Sequence, residues 1–178
     1  MKHLVSIAAL VLLMAGCGDG KKEAAAKLAA INDSITAARA ARTVDLSRFD
    51  VPLLVDLGDL ATLGVDSAAV QWNEEFGQLE VNAGERFGLV ITEEPADIGR
   101  LKAELDRDML RRNTVVQEDG DKLVYRSEFP DGDIVFVHFY QVLRVGDREF
   151  IVRDADQGRF SEADVARMAA AVRVKEAV

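Results

Sequence analysis

The chain has 178 residues, 49% of them hydrophobic and 30% charged, enough for one domain with a sizeable core and too apolar for a disordered tail. Its formal net charge is −9, from 22 basic and 31 acidic residues. No basic run follows Lys22, which argues against unassisted binding to nucleic acid or to anionic lipid. The single cysteine, Cys17, excludes an internal disulfide, so the fold must rest on its core.

Lys2 and His3 form a short polar head, and Leu4–Ala15 is an apolar run too short to span a bilayer. Leu13-Met14-Ala15-Gly16-Cys17 follows. This stretch resembles the lipobox of bacterial lipoproteins, with Ala15, Gly16 and Cys17 on pattern and Met14 in the place usually held by Leu. The resemblance implies cleavage before Cys17 and a diacylglyceryl group on its sulfur. It also implies a chain held to the membrane by its lipid, facing the periplasm or the exterior. Two or more acyl chains anchor stably, at about 0.8 kcal/mol for each buried CH₂. In lipoproteins of this kind an Asp directly after the cysteine implies inner-membrane retention; here Gly18 holds that place and Asp19 follows, so the resemblance leans toward the outer membrane. Residues 1–16 thus read as leader and 17–43 as lipidated cysteine, tether and helix. Residues 44–178 read as the globular domain.

Gly18–Lys22 reads as a flexible polar spacer. Glu23–Arg42 is Ala-rich and predicts a helix, with Leu28, Ile31 and Ile35 in one narrow apolar stripe. Such a stripe suits a partner surface or a stalk lying on its own domain. Phe49–Leu57 predicts a first strand, placed at a sheet edge because Pro52 cannot donate to a ladder. Gly58–Gly77 carries no clear period, and Asp66-Ser67 suggests a helical turn bearing Val70 and Trp72. Leu79–Ile91 predicts a hairpin turning through Asn82-Ala83-Gly84. Pro95 opens a predicted helix to about Arg112, with Ile98, Leu101, Leu105 and Met109 inward and Asn113 as its stop. Thr114–Gln117 is a short strand or connection, and Lys122–Phe129 alternates as a strand. Pro130-Asp131-Gly132-Asp133 turns the chain.

Ile134–Asp154 predicts a central hairpin about Gly146-Asp147, with Leu143 opposite Phe150 and Arg144 opposite Glu149. Both sets of alternating side chains on its first strand are largely apolar, so both faces should be covered. Ser161-Glu162-Ala163-Asp164 resembles a capping box, opening a helix to about residue 173 with Val165, Met168, Ala169 and Val172 inward. The fold class is α+β: a mainly antiparallel sheet flanked by helices, after a signal peptide and an Ala-rich helix. This element order is similar to that of PsbP-type proteins, which implies a non-enzymatic binding or assembly factor.

Few chemistries remain. Cleavage would remove His3 and leave His138 as the only histidine, with the only thiol acylated. That excludes Cys/His zinc sites and thiol catalysis, and no cofactor or metal is expected. A Ser-His-Asp set would have to use Ser127, His138 and Asp154, without a Gly-x-Ser-x-Gly elbow. His138 sits mid-strand among Phe136, Tyr140 and Val142, where a hydrogen-bonded structural role is expected. Asp154–Gly158 lacks the Gly and Glu spacing of a calcium loop and reads as a polar turn. Glu74-Glu75 and Glu93-Glu94 read as solvated faces. Trp72, His138 and Tyr140 are the candidate binding residues, and no catalytic residue is assigned. The reading is a lipid-anchored, non-enzymatic envelope module that binds an envelope partner. Its contact surface would be the Phe49–Leu57 edge, the Trp72 region or the Ala-rich helix. A small carboxylate-dependent hydrolase and a carrier of an apolar ligand are the rivals.

Overall fold

The computed structural model describes residues 19–130, 132 and 135–176. Cys17 and the leader, with Gly18, Asp131, Asp133 and Ile134, lie outside the described residues. The chain divides into two units between Ala41 and Arg42.

The first unit is carried by helix α1, Asp19–Arg42. Its Ala content favours the helix, and Glu23 pairs with Lys27 one turn on at 2.8 Å. The helix already includes Asp19–Lys22, where the sequence suggested a flexible spacer. Leu28, Ile31 and Ile35 are exposed.

The second unit is an α+β fold with two antiparallel sheets. The small sheet has the order β1-β2-β10, from Thr43–Asp45, Leu53–Asp56 and Val172–Val174. Here two expectations fail. Phe49 lies in a 3₁₀ turn, Ser47–Phe49, and β2 is the central strand, not an edge. Pro52 stands just before β2, where no ladder bond is required of it, and its carbonyl accepts the Lys175 N–H at 2.9 Å. The edge proposed as a contact surface is therefore already paired on both sides. The helix read to residue 173 ends at Ala171, and Val172 instead pairs with Val55 in β10.

A short helix, α2 (Leu60–Leu63), leads to the large sheet. Its strands are β3 (Ala69–Asn73), β4 (Gln78–Asn82), β5 (Gly88–Glu93), β6 (Arg112–Asp119), β7 (Lys122–Glu128), β8 (Val135–Val145) and β9 (Arg148–Asp154). Their order is β3-β4-β5-β9-β8-β7-β6, with every pair antiparallel. Val70 and Trp72 thus belong to an edge strand, not to the expected helical turn. The β8–β9 hairpin forms in the expected register, with Leu143 opposite Phe150 and Arg144 opposite Glu149. Gly146 turns it with φ of 60°, in the left-handed region that suits glycine.

One face of the large sheet carries the main core. Leu79, Val81, Leu89, Ile91, Phe139, Phe150 and Val152 cluster with Leu53 and Val55 of the small sheet. Helix α4, Glu162–Ala171, adds Val165, Met168 and Ala169. The other face also buries side chains, namely Val90, Leu123, Val142 and Ile151. Helix α3, Ile98–Arg107, is tied to strands of this sheet. The Ala96 N–H donates to Glu149 at 3.0 Å, and Lys102 meets Glu118 at 2.7 Å. On β8, Val137 and Phe139 are buried on the core face and Val142 on the other, where Phe136, His138 and Tyr140 stay partly exposed, so the cover that its double apolar pattern implies is only partial.

Helix α3 is shorter than expected. Asp97 caps its start, accepting the Arg100 N–H, and Asp108 ends it by accepting the N–H groups of Leu110 and Arg111. Met109 falls outside the helix and is 94% exposed rather than inward. Asn113 belongs to β6, yet its amide still donates to the Leu105 carbonyl at 2.9 Å and caps the helix from the strand.

Candidate functional site

Strand alternation decides which candidate residues meet. On β8, Phe136, His138 and Tyr140 share the face that holds Tyr125 and Leu123 of β7. Arg153 of β9 lies opposite Tyr140 on that face. Continuing across β5 to β4 and β3, the same face carries Val90, then Gln78, Glu80 and Asn82, then Gln71 and Asn73. Trp72 alternates to the other face. The structure therefore brings His138 and Tyr140 together and sends Trp72 away from them. Trp72 is 48% exposed and lines a separate cavity of about 440 Å³ with Phe49, Val51 and Phe150.

His138 is oriented by Asp154. Its Nδ1 lies 2.7 Å from Asp154 Oδ2, while Asp154 Oδ1 accepts the Phe139 N–H at 2.9 Å. The carboxylate is 3% exposed and His138 21%. Phe136 stacks parallel to the imidazole at 6.3 Å, and the Tyr125 ring lies 5.2 Å away. Burial pushes the Tyr125 hydroxyl up to about 12, and the nearby Asp154 charge adds to the effect. Burial also raises Tyr140, with Glu94 and Asp97 acting in the same direction.

A carboxylate on one imidazole nitrogen is the arrangement that orients a general base. The third member does not join it. Ser127 lies opposite Phe136, is buried, and donates its hydroxyl to Asn113 Oδ1 at 2.6 Å. Of the Ser127, His138 and Asp154 set, only the last two meet. Among the described residues no group of His, Cys, Asp and Glu side chains is placed to hold a metal ion. The Asp154–Gly158 stretch is a turn, closed by the Gly158 N–H on the Ala155 carbonyl at 3.0 Å. Its Asp156 pairs with Arg153. Glu93 pairs with Arg148 at 2.7 Å, so it forms a surface ion pair rather than half of an acid–base couple.

Beside Arg153 the face opens into a cleft of about 390 Å³, at the lower end of the range for small-molecule sites. Asn73, Phe76, Gln78, Glu80, Arg153 and Gln157 line it. Sequence reasoning missed this cleft. Its signal lay in the half of the alternation that the core argument set aside: Gln71 and Asn73, then Gln78, Glu80 and Asn82, all polar on one face of one hairpin.

Family models, curated proteins and solved structures all give no match to this chain. The functional reading therefore rests on the residues themselves.

Proposed function

We propose that this chain is a lipid-anchored, non-enzymatic module of the bacterial envelope that binds an envelope component at the β3–β5 cleft. The lipobox-like Leu13–Cys17 stretch supports the anchor. The cleft supports the binding role, and one observation carries it: its polar side chains are fixed by bonds to one another before any ligand arrives. Asn73 and Gln78 both donate to Glu80, and Arg153 donates to Gln78. Preorganised polar groups lose little entropy on binding. Phe76, Val90 and Ala155 give the cleft an apolar share as well, but the charged Glu80 and Arg153 in its wall disfavour a wholly apolar cargo.

Two tests address the two halves of the reading. Cys17→Ser should move the protein from the membrane fraction to the soluble fraction with its thermal unfolding unchanged; retention in membranes contradicts the anchor. A benzophenone-bearing phenylalanine in place of Phe76, which keeps the aromatic ring, should capture an envelope component in cells. The same residue at Arg107, on the exposed end of α3, should not. Equal capture at both positions, or none at Phe76, contradicts the cleft as the binding surface.

The His138–Asp154 pair favours a second reading, a small hydrolase with His138 as base. His138→Gln decides between them. The binding reading expects capture at Phe76 to persist, whereas the hydrolase reading expects biological function to vanish while the melting temperature holds.

A further inference from the structure

We propose that the β3–β5 cleft takes a ligand bearing a positively charged amino group, held by Glu80 and the ring of Phe76. This inference rests on the binding reading given above and names the chemistry of that site.

Glu80 projects from β4 and is partly buried. Three carboxamides converge on it. Asn73 Nδ2 and Gln78 Nε2 donate to Oε1 at 2.8 and 3.0 Å, and Gln71 Nε2 donates to Oε2 at 3.3 Å. The Asn73 bond, then that of Gln78, holds the carboxyl below its ordinary range, with burial acting the other way. Glu80 is therefore ionised, oriented and fixed in one rotamer.

Its charge is not cancelled. All three donors are neutral, and among the described residues no lysine or arginine forms an ion pair with Glu80. Arg153, the cation in the cleft wall, is already committed to Asp156 and to Gln78 Oε1. A carboxylate has about four acceptor positions, of which three are filled, so one on Oε2 stays open to a donor.

Phe76 supplies the second element. Asn73 Oδ1 accepts the N–H groups of Glu75 at 3.2 Å and Phe76 at 3.3 Å, which fixes the turn that presents the ring. Phe76 lines the cleft and is 65% exposed. A cation is attracted both by an aromatic face and by a carboxylate. An anionic ligand would meet the Glu80 charge. A neutral polyol would leave that charge uncompensated and would find one donor of each converging amide already spent.

The test uses the Cys17→Ser full chain, uniformly ¹⁵N-labelled, at constant ionic strength. Titration with n-butylammonium chloride should shift the side-chain amide signals of Gln71, Asn73 and Gln78. n-Butanol at the same concentrations should leave them in place. Glu80→Gln, which keeps the shape and removes the charge, should weaken butylammonium binding about tenfold or more. Phe76→Ala should weaken it severalfold, and the backbone spectrum of each variant verifies its fold. Equal shifts with butanol or N-acetylglucosamine, or an affinity unchanged by Glu80→Gln, would overturn the proposal. Capture at position 76 in cells without any butylammonium response overturns the ligand class alone. A butylammonium response without that capture supports the ligand class and removes the envelope-component reading.

Discussion

Asp154 does two structural tasks at once: it takes a strand N–H and it aims an imidazole. Its removal leaves the Phe139 N–H buried without an acceptor. Asp154→Ala should therefore lower unfolding free energy by about 1–3 kcal/mol in chemical denaturation. The sequence placed Ser127, His138 and Asp154 on adjoining strands, and that much was legible. It could not show that the register puts Tyr125, not Ser127, opposite His138. Nor could it show that Asn113, which read as a helix stop, comes back along β6 to take the Ser127 hydroxyl. Tyr125 gives a pH-dependent check. Its folded pKa of about 12 lies above the ordinary value of 10.0. Between those values the unfolded chain releases a proton that the folded chain keeps, so rising pH favours unfolding. The stabilisation is complete below the ordinary value and is lost as pH climbs through about 12. Tyr125→Phe should flatten the decline of melting temperature across that window.

At the scale of elements, local chemistry was the most readable part. Ser161 and Asp164 form the capping box that their spacing implies, the hydroxyl accepting the Asp164 N–H at 3.2 Å. Burial raises the Asp164 carboxyl, but the Ser161 hydroxyl and N–H and the Arg86 guanidinium outweigh it and hold the group below its ordinary range. Its contribution is present above the unfolded pKa and is lost as pH falls through the lower folded value. Ser161→Ala should cost about 1 kcal/mol at neutral pH, read from thermal or denaturant unfolding. Strands recognised by alternation formed as read. The failures were elements whose identity depends on a distant partner. Ala69–Asn73 becomes a strand because β4 lies beside it, and Val172–Val174 leaves the helix because β2 has a free side. The three residues of β10 carry no period of their own, and no local signal marks them.

For the whole molecule, the α+β class follows from alternation and caps, whereas the split into two sheets does not. The core between them should be the least tolerant part. Phe139, on the core face of β8, is buried in the cluster shared with the small sheet, and Phe139→Ala should cost about 3–5 kcal/mol. Met109→Ala, at a site the sequence assigned to the interior, should change stability by less than about 0.5 kcal/mol. The cleft lies on the face away from this core, so its polar side chains Asn73, Gln78 and Glu80 can be exchanged without touching that core, whereas Val90 in its wall is buried. That separation is why the polar half of the hairpin pattern, uninformative about folding, is the informative half for binding.

Strand β10 closes the small sheet against Leu53–Val55, joining one of the last described segments to one of the first of its unit. During synthesis, β2 therefore waits with one ladder edge open until almost the whole unit has left the ribosome. Helix α4, whose Val165, Met168 and Ala169 join the same core cluster as Phe139, is made just as late. A stalled nascent chain ending before Val172 should be degraded rapidly by added protease, while one extended past Lys175 and clear of the exit tunnel should resist.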